Sequence, residues 1–254
     1  TALPLIILNH RFKGDLAAEE QKRLGKILED LLNWFLHSVE AHPRVYYPNK
    51  HLGDLVCAWL ILEQAWKADT GTWLSGKILE SAAYWKNHGW GWAEHLSDDY
   101  SKICLEELSV LICLAEKLPV KARTACSELL NQLLQLEDSF DGGPRVPAVR
   151  SYAFTQAPQH ENFRDKVYTW SREQLMASKE LLNVGHLLHQ LKWHDRVISR
   201  GNRKSNISIQ CFNDIRAHSW IEDDLRLGSL SQFPIMPTAE HSGWGLAWQS
   251  FPTA

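Results

Sequence analysis

"SKICLEELSVLICLAEKL", Ser101 to Leu118, decides how the fold is read. Its apolar residues fall on almost every side of a helix instead of one stripe, so the helix must be covered on several faces. Its neighbours supply the cover. Leu24, Ile27, Leu28, Leu31, Leu32, Phe35 and Val39 repeat at three, four and seven, an amphipathic helix. Leu52, Leu55, Val56, Trp59, Leu62 and Trp66 make a second such stripe, and a third runs from Trp73 through Ile78, Leu79 and Ala82. Downstream, Ala122, Ala125, Leu129, Leu133 and Leu136 form another after Pro119, a residue tolerated at a helix start. A last helix is expected over about 171–193, with Leu181, Val184, Leu188 and Leu191 inward.

Helices of this length joined by short loops are the signature of stacked antiparallel pairs. Periodicity alone leaves bundle, solenoid and closed toroid open. "LPLIIL" near the start reads as a strand, or as a chain that begins inside a larger protein. Past residue 195 the period changes. "SNISIQCF" alternates polar and apolar, and "IRAHSWIEDDLRLGSLSQF" has strand-like stretches with Gly228 as a turn. The expected architecture is therefore mainly α: antiparallel helix pairs over 1–195, then antiparallel strands over 196–254. Those strands pack on the helical part or open a β domain that continues past Ala254.

The totals exclude several classes. The chain has 254 residues, a formal charge of −3 and ordinary hydrophobic and charged fractions. It lacks the basic excess usual among nucleic-acid binders. No apolar run approaches the roughly 18 residues of a membrane span. The five cysteines show no metal spacing, and an odd count argues against a fully paired disulfide framework. No GxSxG, P-loop or GxGxxG motif occurs. Asn206 opens an "NIS" glycosylation sequon, a pattern short enough to occur by chance.

Twelve tryptophans are the unusual figure. Three of them, Trp85, Trp90 and Trp92, stand in "YWKNHGWGWAEHLSDDY", Tyr84 to Tyr100, beside Glu94, His95, Asp98 and Asp99. Either the rings fill gaps between helix ends, or they wall a site whose indoles stack on sugars while neighbouring polar groups bond the hydroxyls. Two of Glu94, Asp98 and Asp99 serve as a hydrolase pair, or Asp98 and Asp99 are first-turn acids after an N-capping Ser97. Asn49 caps a helix beginning near His51, or aims its amide at an acidic substrate. His51 titrates near neutrality and is a candidate donor or base. His218 in the strand region reads as structural, and His186 with His189 lacks a third metal ligand. Residues 138–168 break the helical rhythm for roughly 30 residues, which is uncommon in a passive linker. Arg145, Arg150 and Tyr152 within them point to the same site.

"NKHLGDLVCAWLILEQAWK" followed by "EHLSDDYSKICLEELSVLICLAEKL" resembles the (α/α) toroid of the heparinase II/III and oligoalginate lyase group, over about residues 15–235. "HSWIEDDLRLGS" resembles the start of the β-sheets that follow that toroid. The resemblance implies a polysaccharide lyase that cleaves a uronate-containing glycan by β-elimination, without metal or cofactor. Asn49 would help neutralise the uronate carboxylate, His51 would be the nearby histidine and Tyr100 the acid/base. Trp85, Trp90, Trp92, Glu94, His95, Arg145, Arg150 and Tyr152 would contact substrate. Such a substrate implies a secreted or periplasmic location. This chain departs from the pattern where Lys50 separates Asn49 from His51, and where acids precede Tyr100. A toroid-borne glycoside hydrolase and a non-catalytic glycan-binding or helical interaction domain are the competing readings.

Overall fold

The structure, a computed structural model, describes residues 2–88, 98–139, 206–212, 215–222, 225–231 and 246–250. Six helices come first: α1 (Ala2–Phe12), α2 (Ala18–Ala41), α3 (Pro48–Leu62), α4 (Ala68–His88), α5 (Asp98–Leu114) and α6 (Val120–Ser139). Four strands follow: β1 (Asn206–Phe212), β2 (Ile215–Ile221), β3 (Leu225–Leu230) and β4 (Leu246–Ser250). The expected mainly helical chain with late antiparallel strands is what the described residues form.

The segment expected as a strand is instead α1. Leu3, Ile6 and Ile7 sit at helical spacing, and the two isoleucines are fully buried against α2 and α3. A short apolar run carries no period of its own, so packing decides its conformation. Helix α3 begins at Pro48, three residues before the expected start, with proline in the position where its missing N–H costs nothing. Tyr47 is the residue before the helix, and no side chain caps it. Asn49 is thus inside the first turn, and its expected role as a cap does not hold.

Helix α3 is the hub. All its residues but Asn49, Lys50 and Gly53 are buried, and it packs against α1, α2, α4 and α5. The senses of the helices follow from a few contacts. A methyl on Gly53 would fall 2.6 Å from Glu107 Oε1, while Glu63 at the far end accepts hydrogen bonds from the backbone N–H of Glu116 and Lys117. So α3 and α5 run parallel. Leu3 shares a cleft with Asn49, and Asn9 bonds Gln64, so α1 runs the same way. Helix α4 runs against α3, because His51 meets Ser81 and Trp85 reaches back to Val45. Short turns connect α1 to α2 and α5 to α6, completing three antiparallel hairpins whose odd-numbered helices are parallel neighbours.

The ends are fastened by polar contacts. The Glu63 carboxylate accepts the Trp59 indole N–H at 2.6 Å as well as the two backbone N–H groups. Arg123 of α6 donates to the carbonyls of Ile112 and Ala115, which the end of α5 leaves without helical partners. Pro119 precedes α6, and its carbonyl accepts the Arg123 N–H at 2.9 Å.

The sheet is an antiparallel meander in the order β1-β2-β3-β4. Strand β2 alternates without a break: Ile215, Ala217, Ser219 and Ile221 point inward while Arg216, His218 and Trp220 point outward. The inner residues Ile207, Ile215, Ala217 and Ile221 pack with Leu136 of α6. The inner face of the sheet therefore touches the helical part at α6. Gly228 was expected to be a turn but lies within β3, opposite Ser219, and the bend falls after Ile221.

Candidate site at the shared end of the parallel helices

Parallel packing of α1, α3 and α5 gathers their N-terminal ends on one side of the array. Asn49 and Lys50 come from α3, and Tyr100, half-buried, comes from the first turn of α5. Aligning Gly53 with Glu107 and Glu63 with Glu116 puts Tyr100 at the axial level of the chain entering α3. Asp98 and Asp99 open α5.

Next to Asn49 is a cleft of about 170 Å³, with Lys50, Asp54 and Glu107 on its polar side and Leu3 and Phe35 on its apolar side. Asp54 is buried and accepts from Ser38 Oγ at 2.7 Å and from the Lys50 ammonium one turn earlier. Lys50 also lies 4.7 Å over the Trp34 ring. Its charge is thereby committed to Asp54 and Trp34. Lys50 and Asp54 stand at the i,i+4 spacing of a helical ion pair, a signal visible in the sequence. Glu107 had no such signal; only the close crossing at Gly53 brings it here.

His51 and Trp85 do not belong to this cleft. His51 is 3% exposed, with a ring nitrogen 3.1 Å from Ser81 Oγ and its ring edge-on to Trp85 at 6.2 Å. Burial, chiefly, pushes its imidazole down to about 4; Asp54 opposes that, and Lys50 and Lys77 add to it. His51 is therefore neutral at pH 7. Trp85 is 1% exposed and donates its indole N–H to the Val45 carbonyl at 2.6 Å. Expected in the wall of a sugar site, it is instead a joint of the core between α4 and the 42–47 connection. Helix α4 continues three residues past it, to His88, whose ring stacks on Tyr84 at 4.2 Å.

Trp90, Trp92, Glu94, His95, Ser97, Arg145, Arg150, Tyr152, His186 and His189 lie outside the described residues, as does most of the 138–168 segment. Asp138 and Ser139 belong to α6. His218 is exposed on β2. Among the described residues no three His, Cys, Asp or Glu side chains are grouped to hold a metal ion, and no helix is long and apolar enough to cross a membrane. Burial pushes the thiols of Cys57 and Cys126 up to about 12, so both behave as small hydrophobes.

Comparison with protein families, curated proteins and solved structures finds no match to this chain.

Proposed function

We propose that the chain acts as a polysaccharide lyase on a uronate-containing glycan, with the three hairpins forming part of an (α/α) toroid. One observation supports this reading: α3 and α5 run parallel, so Asn49 and Tyr100 belong to the same end of the array. In the reaction the Asn49 amide donates to the substrate carboxylate, which stabilises the negative charge that develops as the C5 proton leaves. Tyr100, entering as the phenolate, takes that proton, the C4–O bond breaks, a C4–C5 double bond forms, and the Tyr100 phenol returns the proton to the departing oxygen. His51 takes no part in proton transfer in this scheme. Neutral and bonded to Ser81, it is a positioning residue that holds the first turn of α3 against α4.

Tyr100→Phe keeps the ring and removes the hydroxyl. Turnover, read as ultraviolet absorbance of the new double bond across a panel of uronate polymers, should fall by about 10²-fold or more. Asn49→Ala should reduce the same step, and the double variant should be less than additive. Full activity in Tyr100→Phe refutes the assignment. The burial of His51 and Trp85 favours a second reading, a helical interaction or glycan-binding scaffold, which predicts no product from any polymer. New reducing ends without the absorbance would instead indicate hydrolysis, with Glu94, Asp98 and Asp99 to test.

A further inference from the structure

The sheet has a second face, which the site above does not use. In an antiparallel sheet, residues paired across strands share a face, so the register orders this surface into rows. Asn206, Trp220 and Leu227 form one row, and Ser208, His218 and Ser229 the next. These six residues line a groove of about 280 Å³ that crosses β1, β2 and β3. Trp220 and Leu227 are each 37% exposed, large apolar groups left on a surface whose other side packs on α6.

The composition of the groove selects its occupant. An indole flanked by an amide, an imidazole and two hydroxyls offers a flat apolar body within reach of several hydrogen-bonding groups. A sugar ring matches it, with C–H faces for the indole and hydroxyls for the polar rim. The volume suits about one or two sugar rings, at the lower end of ligand clefts. Charge narrows the class further. Arg216, on the same face, donates from Nε to Ser208 Oγ at 3.1 Å and from Nη2 to the Ser208 carbonyl at 3.1 Å, which lays its guanidinium along the edge of the groove. Arg216 borders the His218 row, while Glu222, whose backbone N–H donates to the Leu225 carbonyl across the turn, borders the Trp220 row at the opposite end. A saccharide carboxylate is therefore matched at the Arg216 end of the groove.

We infer that the outer face of the sheet is a binding subsite for an acidic saccharide, with Trp220 as its stacking platform and Arg216 supplying the complementary charge. The inference deepens the proposed function, because it rests on the same substrate class. It differs from it in using no residue of the helical site.

The test uses the full chain carrying Tyr100→Phe, so that turnover does not consume the probe. Calorimetric titration at low ionic strength compares a purified oligouronate with a neutral cello-oligosaccharide of equal length. The oligouronate is expected to bind more tightly, and Trp220→Ala to weaken it by at least about tenfold. Leu227→Glu places a carboxylate in the groove and should weaken the oligouronate by a similar factor while sparing the neutral probe. It also carries the test if Trp220→Ala fails to fold. Unchanged oligouronate affinity in the folded variants overturns the subsite, and equal affinity for the neutral probe overturns its acidic specificity. The two proposals separate cleanly. Absence of any lyase product from the parent refutes the reaction alone, whereas turnover with Trp220-independent binding refutes the groove alone.

Discussion

Lowering the pH should expose His51 as a buried neutral imidazole. In the unfolded chain it gains a proton near 6.5, but in the folded chain only near 4. Between those values the unfolded state binds more protons, so stability falls as pH drops through this window. Above 6.5 neither state is protonated at this residue, and its contribution to the pH slope vanishes; below 4 both are. The gap from 6.5 to about 4, at 1.36 kcal/mol per pH unit, corresponds to roughly 3 kcal/mol lost across the window. His51 is only 3% exposed, so solvent screening removes little of this. Urea unfolding of the parent and of His51→Gln, at half-unit steps from pH 7.5 to 3.5, isolates the term, since the other histidines and carboxylates largely cancel in the difference. Parent and variant curves should converge toward low pH by about 3 kcal/mol. Asp54 raises the affinity of His51 for its proton, so Asp54→Asn should move its titration lower still. Parallel stability profiles, or an NMR titration of His51 centred near 6.5, would refute the burial argument.

Other predictions test the scaffold. Trp85→Ala should cost about 3–5 kcal/mol, the loss typical of a large buried aromatic; an unchanged Tm would return Trp85 to the surface. At Gly71 an added methyl meets the rigid Trp66 ring at 2.3 Å, so Gly71→Ala should lose about 1–3 kcal/mol in denaturant unfolding. At Gly53 the obstacle is the movable end of Glu107, and alanine also favours the helix, so Gly53→Ala should lie within about 1 kcal/mol of the parent. The reverse order at the two glycines would contradict both geometries. Glu63→Ala removes the acceptor of the Trp59, Glu116 and Lys117 N–H groups, and should destabilise by about 1–3 kcal/mol with faster amide exchange at Lys117.

What could be read from the chain, and what could not, divides along a physical line. Helical period locates one face of one element, so the stripes of α2 and α6 were legible, and so was the need to cover α5 on several sides. Period carries no information about which element provides the cover or in which sense it runs. The parallel relation of α1, α3 and α5 therefore emerges only from cross-helix contacts such as Gly53 with Glu107. The misplacement of Trp85 has a different origin. Grouping it with Trp90 and Trp92 followed nearness in sequence, whereas Leu74, Ile78, Ser81, Ala82 and Trp85 are all buried at helical spacing. Following that stripe one turn further would have put the indole in the core. His51 obeys the same rule, since His51, Leu55, Ala58 and Leu62 recur at four, seven and eleven on α3. A polar residue on such a stripe is buried first and chemical second, and its hydrogen-bond partner decides whether it retains any reactivity. For His51 that partner is Ser81, on a packed helix and outside the cleft beside Asn49. Tyr100 and Asn49 differ because each stands at a helix start, at the shared N-terminal end of the parallel helices. That is why the catalytic proposal rests on them and not on the histidine.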